Sequence, residues 1–177
     1  VTMVGGPHST ALPTDTLAEF PAIDVAVRGE GEITACELAN AVAGTTPRHA
    51  WSAIAGIAYR DDGQIIRNAD RPFIKDLDSL PFVTRIYKRD LDIQRYQIPY
   101  LLRPYVSIYS GRGCPSRCIY CLWPQTFTGH RYRARSAGNG AEEVRAAAAA
   151  FPEARELFFD ADTLIPRSPY AIESHSA

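Results

Sequence analysis

Three cysteines in one short run, Cys114, Cys118 and Cys121, constrain this chain more than any other feature. They lie in Gly111-Arg112-Gly113-Cys114-Pro115-Ser116-Arg117-Cys118-Ile119-Tyr120-Cys121, a C-x3-C-x2-C spacing with an aromatic residue before the last cysteine. Proline, glycine and arginine around the thiols argue for an exposed loop, not a core segment. Just before it, residues 105–109 alternate apolar Val106 and Ile108 with polar Ser107, the period of a strand. Beyond the loop, Asn139 is placed to cap a helix, with Glu142 three residues on in capping-box spacing. Val144 and the alanines carry that helix to Phe151-Pro152. Residues 157–159 read as a second strand, ending at Asp160-Ala161-Asp162. A strand, loop, helix and parallel strand put the cysteine loop, Asp160 and Asp162 at one C-terminal sheet edge, where α/β enzymes place their chemistry.

Three thiolates can hold three corners of a cubane iron–sulfur cluster and leave the fourth iron without a protein ligand. An open iron can bind and reduce a cosubstrate, whereas a fully ligated cluster mainly passes electrons. Two plainer readings compete. A structural zinc site takes four ligands, usually in pairs, and here would need His130 beside the three cysteines. Alternatively the thiols are simply unligated. Four cysteines in a secreted chain would suggest disulfides, but three of these fall within eight positions and no signal peptide precedes them. A reducing cytoplasm and a metal site fit better.

With 46% hydrophobic and 22% charged residues, the 177-residue chain can bury a core. A formal charge of −1 offers no basic field for nucleic acid. No apolar run approaches the roughly 20 residues of a membrane span. The chain opens on Val1 in what already reads as a buried strand, so it is expected to be a piece of a longer protein.

The first fifty residues are read as strand, loop, helix, strand, loop, helix. Residues 1–4 run into Gly5-Gly6-Pro7-His8-Ser9-Thr10, and 14–20 form a short helix. Residues 23–27 are a buried strand ending in Arg28-Gly29-Glu30-Gly31-Glu32, and 33–43 a helix stopped by Gly44. Cys36 on that helix is expected to be a small buried residue. This is the back half of an open doubly wound sheet. A middle region, 51–104, holds a hairpin around Asp61-Asp62-Gly63 and a proline-rich, partly ordered connector. The third region, 105–177, carries the cysteine loop. Arg131, Arg133 and Arg135 read as a solvated face, and the segment 163–177 loses helical patterning.

The cysteine loop resembles that of radical S-adenosylmethionine enzymes at every cysteine and at the aromatic position, Tyr120. The resemblance implies that Cys114, Cys118 and Cys121 hold a [4Fe–4S] cluster whose free iron is chelated by S-adenosylmethionine. Tyr120 would then pack near the adenine, or else act as an aromatic plug at the strand end. Family members often carry Gly-Gly-Glu at the end of the second strand to contact the cosubstrate's amino group. This chain has Asp160-Ala161-Asp162, so Asp160 and Asp162 are candidates for that contact or for a plain helix cap. The N-terminal segment is similar to the later part of a cobalamin-binding domain that precedes the radical domain in one large subfamily. There Gly5 and Gly6 would admit the corrinoid's nucleotide tail, with Gly29 and Glu30 in the next loop of the same edge. The Asp-x-His-x-x-Gly motif of some relatives is absent, and His8 is not promoted to a cobalt ligand.

The implied fold is α/β: the C-terminal part of a doubly wound cobalamin-binding-like domain (1–50), then the first βαβ unit of a radical (β/α) partial barrel. The stretch from Tyr100 to Asp162 most resembles the hopanoid-biosynthesis-associated radical S-adenosylmethionine proteins. That likeness implies tailoring of a hopanoid side chain, a small-molecule or lipid-linked substrate, and an electron donor such as flavodoxin or ferredoxin. A cytoplasmic enzyme, peripheral to the membrane if the substrate is a hopanoid, is expected. The alternatives are a cobalamin-dependent radical methyltransferase on another substrate and a zinc-stabilised, non-catalytic module.

Overall fold

The computed structural model describes residues 1–126 and 128–163. The chain forms two compact units, Val1–Ile74 with Ser116–His130, and Lys75–Pro115 with the described part of Arg131–Ala177.

The first unit is built on a four-stranded sheet whose strands lie side by side in chain order. Strand β1 (Met3–Val4) lies parallel to β2 (Val25–Val27), with Met3 opposite Val25. Two short helices, α1 (Pro7–Ala11) and α2 (Pro13–Glu19), make the crossover. Each opens on a proline, tolerated there because the first-turn N–H has no partner inside the helix. All three residues of β2 are buried, as a strand covered on both faces requires. Val25 and Val27 join Leu38, Trp51, Ile54, Ile57 and Tyr59 in one cluster, whereas Ala26 packs with Leu17 and Ala58 in another. That split follows the two-residue period of a strand. Leu38 comes from α3 (Glu32–Ala43). Cys36, on the same helix, is exposed, contrary to the expectation of burial. A helix stripe wide enough to cover β2 needs only some of its apolar positions, and Cys36 falls outside that stripe.

The hairpin of β3 (Ile57–Asp61) and β4 (Gln64–Arg67) turns at Asp62 and Gly63, both with positive φ, as a tight primed turn demands. The sequence reading set this hairpin apart in a middle region beginning at residue 51. In the structure β3 pairs antiparallel with β2, Val27 opposite Ile57, so the hairpin extends the N-terminal sheet. A hairpin's local pattern is the same whether it stands alone or docks on another strand.

In the second unit β5 (Tyr105–Ile108) and β8 (Glu156–Phe159) pair in parallel, Tyr105 opposite Glu156 and Ile108 opposite Phe159. The crossover helix α6 (Ala137–Ala150) packs Ala147 against Val106, Ile108, Ile93 and Phe151. The expected βαβ unit is therefore present. Its helix starts earlier than the Asn139 reading: Ser136 is the N-cap, accepting the Asn139 N–H at 3.2 Å on its hydroxyl. The proline-rich connector is ordered around α4 (Val83–Asp90), which packs on α6. Two further strands, β6 (Gly111–Arg112) and β7 (Arg133–Ala134), form an antiparallel ladder that brackets the cysteine loop in sequence. Arg135 departs from the solvated-face reading and is buried with Glu143 as its counter-ion. The expectation for residues 164–177 lies outside the described residues.

Candidate functional site

The run from Gly113 to Trp123 contains the three cysteines, all with free thiols. Cys118 is exposed, and Cys114 and Cys121 are half-buried. Cys114 belongs to the second unit, Cys118 and Cys121 to the first. The Cys121 N–H donates to the Cys118 carbonyl at 3.1 Å, closing a tight turn between these two thiols. The Gln125 side-chain amide donates to the Cys121 carbonyl at 2.7 Å and ties the turn to α5 (Trp123–Thr126). Within the same unit α5 lies against α1, beside the Gly5-Gly6 turn. Ile119 and Tyr120 are 96% and 88% exposed, with Leu122 and Trp123 about half exposed. Tyr120 is thus not an aromatic plug. Four large apolar side chains held in solvent beside a thiol loop leave a surface on which an apolar or aromatic group can lie. Among the described residues no three His, Cys, Asp or Glu side chains gather around one point as a single metal ion requires. Neither the three cysteines alone nor a set with His130 forms such a group.

The β5–β8 edge carries a second cluster. The Asp160 N–H continues the ladder to the Ile108 carbonyl at 2.9 Å. Tyr109, next after β5, gives its hydroxyl hydrogen bond to Asp160. Burial foremost, with the Asp160 charge adding to it, pushes the Tyr109 hydroxyl up to about 12, so it stays a donor across the physiological range. The Asp162 carboxylate accepts the Gly113 N–H at 2.6 Å. Both aspartates therefore stand at the edge where the βαβ reading put them, and each already has a protein partner. Tyr109 went unrecognised in the sequence because it read only as the end of a strand.

The N-terminal glycine loops form a third element. Gly6 (φ 109°) and Gly29 (φ 70°) adopt conformations that favour glycine, and a Cβ at either would project into open space. Thr10 joins the two loops, donating its hydroxyl to the Gly6 carbonyl at 2.8 Å and accepting the Gly29 N–H at 3.1 Å. Buried Ser9 spans the Gly6 and Val27 carbonyls at 3.2 and 3.3 Å. These two hydroxyls hold an open, side-chain-free cradle at the end of β1 and β2. A Cβ added at Gly5 would meet Val27 at ordinary contact distance, 4.0 Å. Glu30 plays a different part: it is buried and accepts the Ile74 N–H at 2.7 Å, fastening the end of the first unit. Buried Arg28 pairs with Asp70 and the Asn68 carbonyl in the same way. No hydrophobic pattern marks Ser9 or Thr10, whose value lies in contacts across the sheet.

No protein-family model matches the chain. It is 32% identical over 142 residues to an uncharacterized methyltransferase of Pyrococcus horikoshii, covering 80% of this chain and 29% of that protein. It is 36% identical over 121 residues to the anaerobic magnesium-protoporphyrin IX monomethyl ester cyclase of Synechocystis, covering 68% of this chain and 23% of the cyclase. The chain thus spans about a quarter of the length of these relatives. Among solved structures, the cobalamin-dependent S-adenosylmethionine radical enzyme OxsB superposes with a TM-score of 0.66 at 17% identity, over 98% of this chain and 22% of OxsB. The radical S-adenosylmethionine methyltransferase TsrM of Kitasatospora setae, with cobalamin and a [4Fe–4S] cluster bound, gives 0.65 at 21% identity, over 96% of this chain and 32% of TsrM. The chain therefore has the mixed α/β fold of these cobalamin-dependent radical enzymes over nearly its whole described length.

Proposed function

We propose that this chain supplies the iron–sulfur loop and part of the corrinoid cradle of a radical S-adenosylmethionine enzyme. The carrying observation is the three free thiols on one loop, in a fold shared with enzymes that hold cobalamin, S-adenosylmethionine and a [4Fe–4S] cluster. The donor set suits such a cluster: soft thiolates, three in number, on a loop that follows a sheet strand. Cys114, Cys118 and Cys121 are the proposed iron ligands. The cradle at Gly6 and Gly29, open where a side chain would otherwise stand, fits the approach of a corrinoid's nucleotide tail. When bound, the cluster supplies an electron for cleaving S-adenosylmethionine, and the corrinoid a cobalt centre for group transfer.

The chain's own residues bind and orient. Ser9 and Thr10 fix the separation of the two glycine loops. Tyr120, exposed beside Cys121, offers a ring face to the adenine. Asp160, held by Tyr109, keeps acceptor capacity at the same strand end, because a carboxylate has more lone pairs than one hydroxyl fills.

Methyl transfer is the preferred reaction. Two of the curated relatives are named methyltransferases, the second acting on 2-(S-pantetheinyl)-carbapenam-3-carboxylate in Streptantibioticus cattleyicolor. Hopanoid side-chain tailoring is the second reading and rests on the sequence resemblance between Tyr100 and Asp162. Its electron donor would be a flavodoxin or ferredoxin in either case. No helix among the described residues is long and apolar enough to cross a membrane. The test is anaerobic turnover of the intact protein with a reductant, S-adenosylmethionine and cobalamin. Formation of 5′-deoxyadenosine or S-adenosylhomocysteine is expected. Neither product from iron-loaded protein, with S-adenosylmethionine recovered intact, would overturn the reading.

A further inference from the structure

Gly113 immediately precedes the first cysteine and has φ 85°, a left-handed conformation that L side chains rarely adopt. Such a residue can swing unless something holds it. Its N–H donates at 2.6 Å to Oδ2 of Asp162, 49 residues further along the chain, three positions beyond the end of β8. Gly113 is buried, so this amide cannot exchange the carboxylate for water without cost. The bond is charge-assisted and joins two segments that emerge from neighbouring parallel strands. On the other flank, β6 pairs with β7, Arg112 opposite Arg133, which fixes the backbone up to the residue before Gly113. Asp162 extends that restraint one residue further, to the edge of Cys114.

We propose that Asp162 is a positioning residue for the cysteine loop, fixing the Gly113 peptide and so the direction in which Cys114 presents its sulfur. Asp160 and Asp162 then divide the strand end between them. Asp160 is bonded to the Tyr109 hydroxyl, and Asp162 is spent on the loop backbone. The inference rests on the cluster reading for the purpose of the clamp, but the clamp is a property of the polypeptide alone.

The test compares Asp162→Asn, Asp162→Ala and the parent in the intact protein. The asparagine side-chain oxygen can still accept the Gly113 N–H, whereas alanine cannot. In iron-free protein, hydrogen exchange at the Gly113 amide is expected to accelerate roughly tenfold or more in Asp162→Ala and much less in Asp162→Asn. After anaerobic reconstitution, iron content is expected to fall at least severalfold in Asp162→Ala and to be largely restored in Asp162→Asn. S-adenosylmethionine affinity, measured by equilibrium dialysis, is expected to follow iron content. If Asp162→Asn instead keeps its iron but loses S-adenosylmethionine affinity, the carboxylate contacts the cosubstrate ammonium and the positioning role is overturned. Equal amide exchange in all three proteins overturns it as well. A parent that takes up no iron sinks the cluster reading, while the exchange comparison still decides the clamp.

Discussion

Cys118→Ala in the intact protein is expected to leave no detectable reductive cleavage of S-adenosylmethionine, against a parent that cleaves it. Cys118 is the exposed member of the three thiols and is tied to Cys121 by the 3.1 Å turn hydrogen bond. Its side chain is exposed, so alanine is expected to leave the fold intact and loss of activity to report lost ligation. Two remaining thiolates leave two corners of a cubane without protein sulfur, and such a cluster is readily shed. Cys36→Ala is the matched control. Cys36 is also an exposed free thiol, on α3, and its replacement is expected to keep both iron and cleavage. Cleavage by Cys118→Ala at the parent rate would remove that residue from the cluster.

The second large effect is on stability. Glu143 and Arg135 are buried together, with the Arg135 Nε 3.7 Å from the Glu143 carboxylate. Arg135 also donates to the Leu80 carbonyl at 3.1 Å and to Asn139 Oδ1 at 2.8 Å, while Glu143 accepts the Val83 N–H at 3.1 Å. Glu143 thereby ties α6 to the start of α4 through Val83. Glu143→Ala removes the buried counter-charge of the guanidinium and frees a helix-start amide, so the second unit is expected to lose about 3–5 kcal/mol in denaturant unfolding. Glu143→Gln, which can still accept from Val83, is expected to lose less.

Burial lifts the Glu143 carboxyl above its ordinary value, against the opposing Arg135 charge and the Val83 and Thr84 amides. The folded unit then holds this proton more tightly than the unfolded chain. The stabilisation linked to it is complete below the unfolded-state value and is lost as pH rises through the folded one. Unfolding of the parent minus that of Glu143→Gln, followed from acid to neutral pH, should therefore show the parent losing ground as pH rises. A flat difference would contradict the buried-carboxyl assignment.

Local pattern made most of this architecture legible, and the exceptions share one physical cause. The parallel β5–β8 pair, α6 and the glycine loops follow from period, turn residues and short connections, which are properties of neighbours in sequence. Docking of the β3–β4 hairpin on β2 and the contact of Arg135 with Leu80 depend on partners tens of residues away, and exposure of Cys36 depends on which face of α3 meets the sheet. Arg135 shows the difficulty well. Flanked by Arg131 and Arg133, it looks like part of a charged surface until Glu143, Leu80 and Asn139 close around it. The cap at Ser136 was missed for a smaller reason. Asn139 is itself a good capping residue, but its N–H is the donor that Ser136 satisfies. At the candidate site the three thiols and two aspartates were visible as residue types at meaningful spacings. The Tyr109 and Gly113 partners of those aspartates emerge only when the two strands lie side by side.

The electron paramagnetic resonance spectrum of the reduced, oxygen-protected protein, recorded before and after adding S-adenosylmethionine, bears most directly on the central claim. A cubane held by Cys114, Cys118 and Cys121 has one iron free to take the cosubstrate's amino and carboxylate groups, so the spectrum is expected to change on addition. An unchanged cluster signal would mean that a fourth side chain already fills that corner, and reduced protein with no cluster signal and no bound iron would mean the three sulfurs serve another purpose.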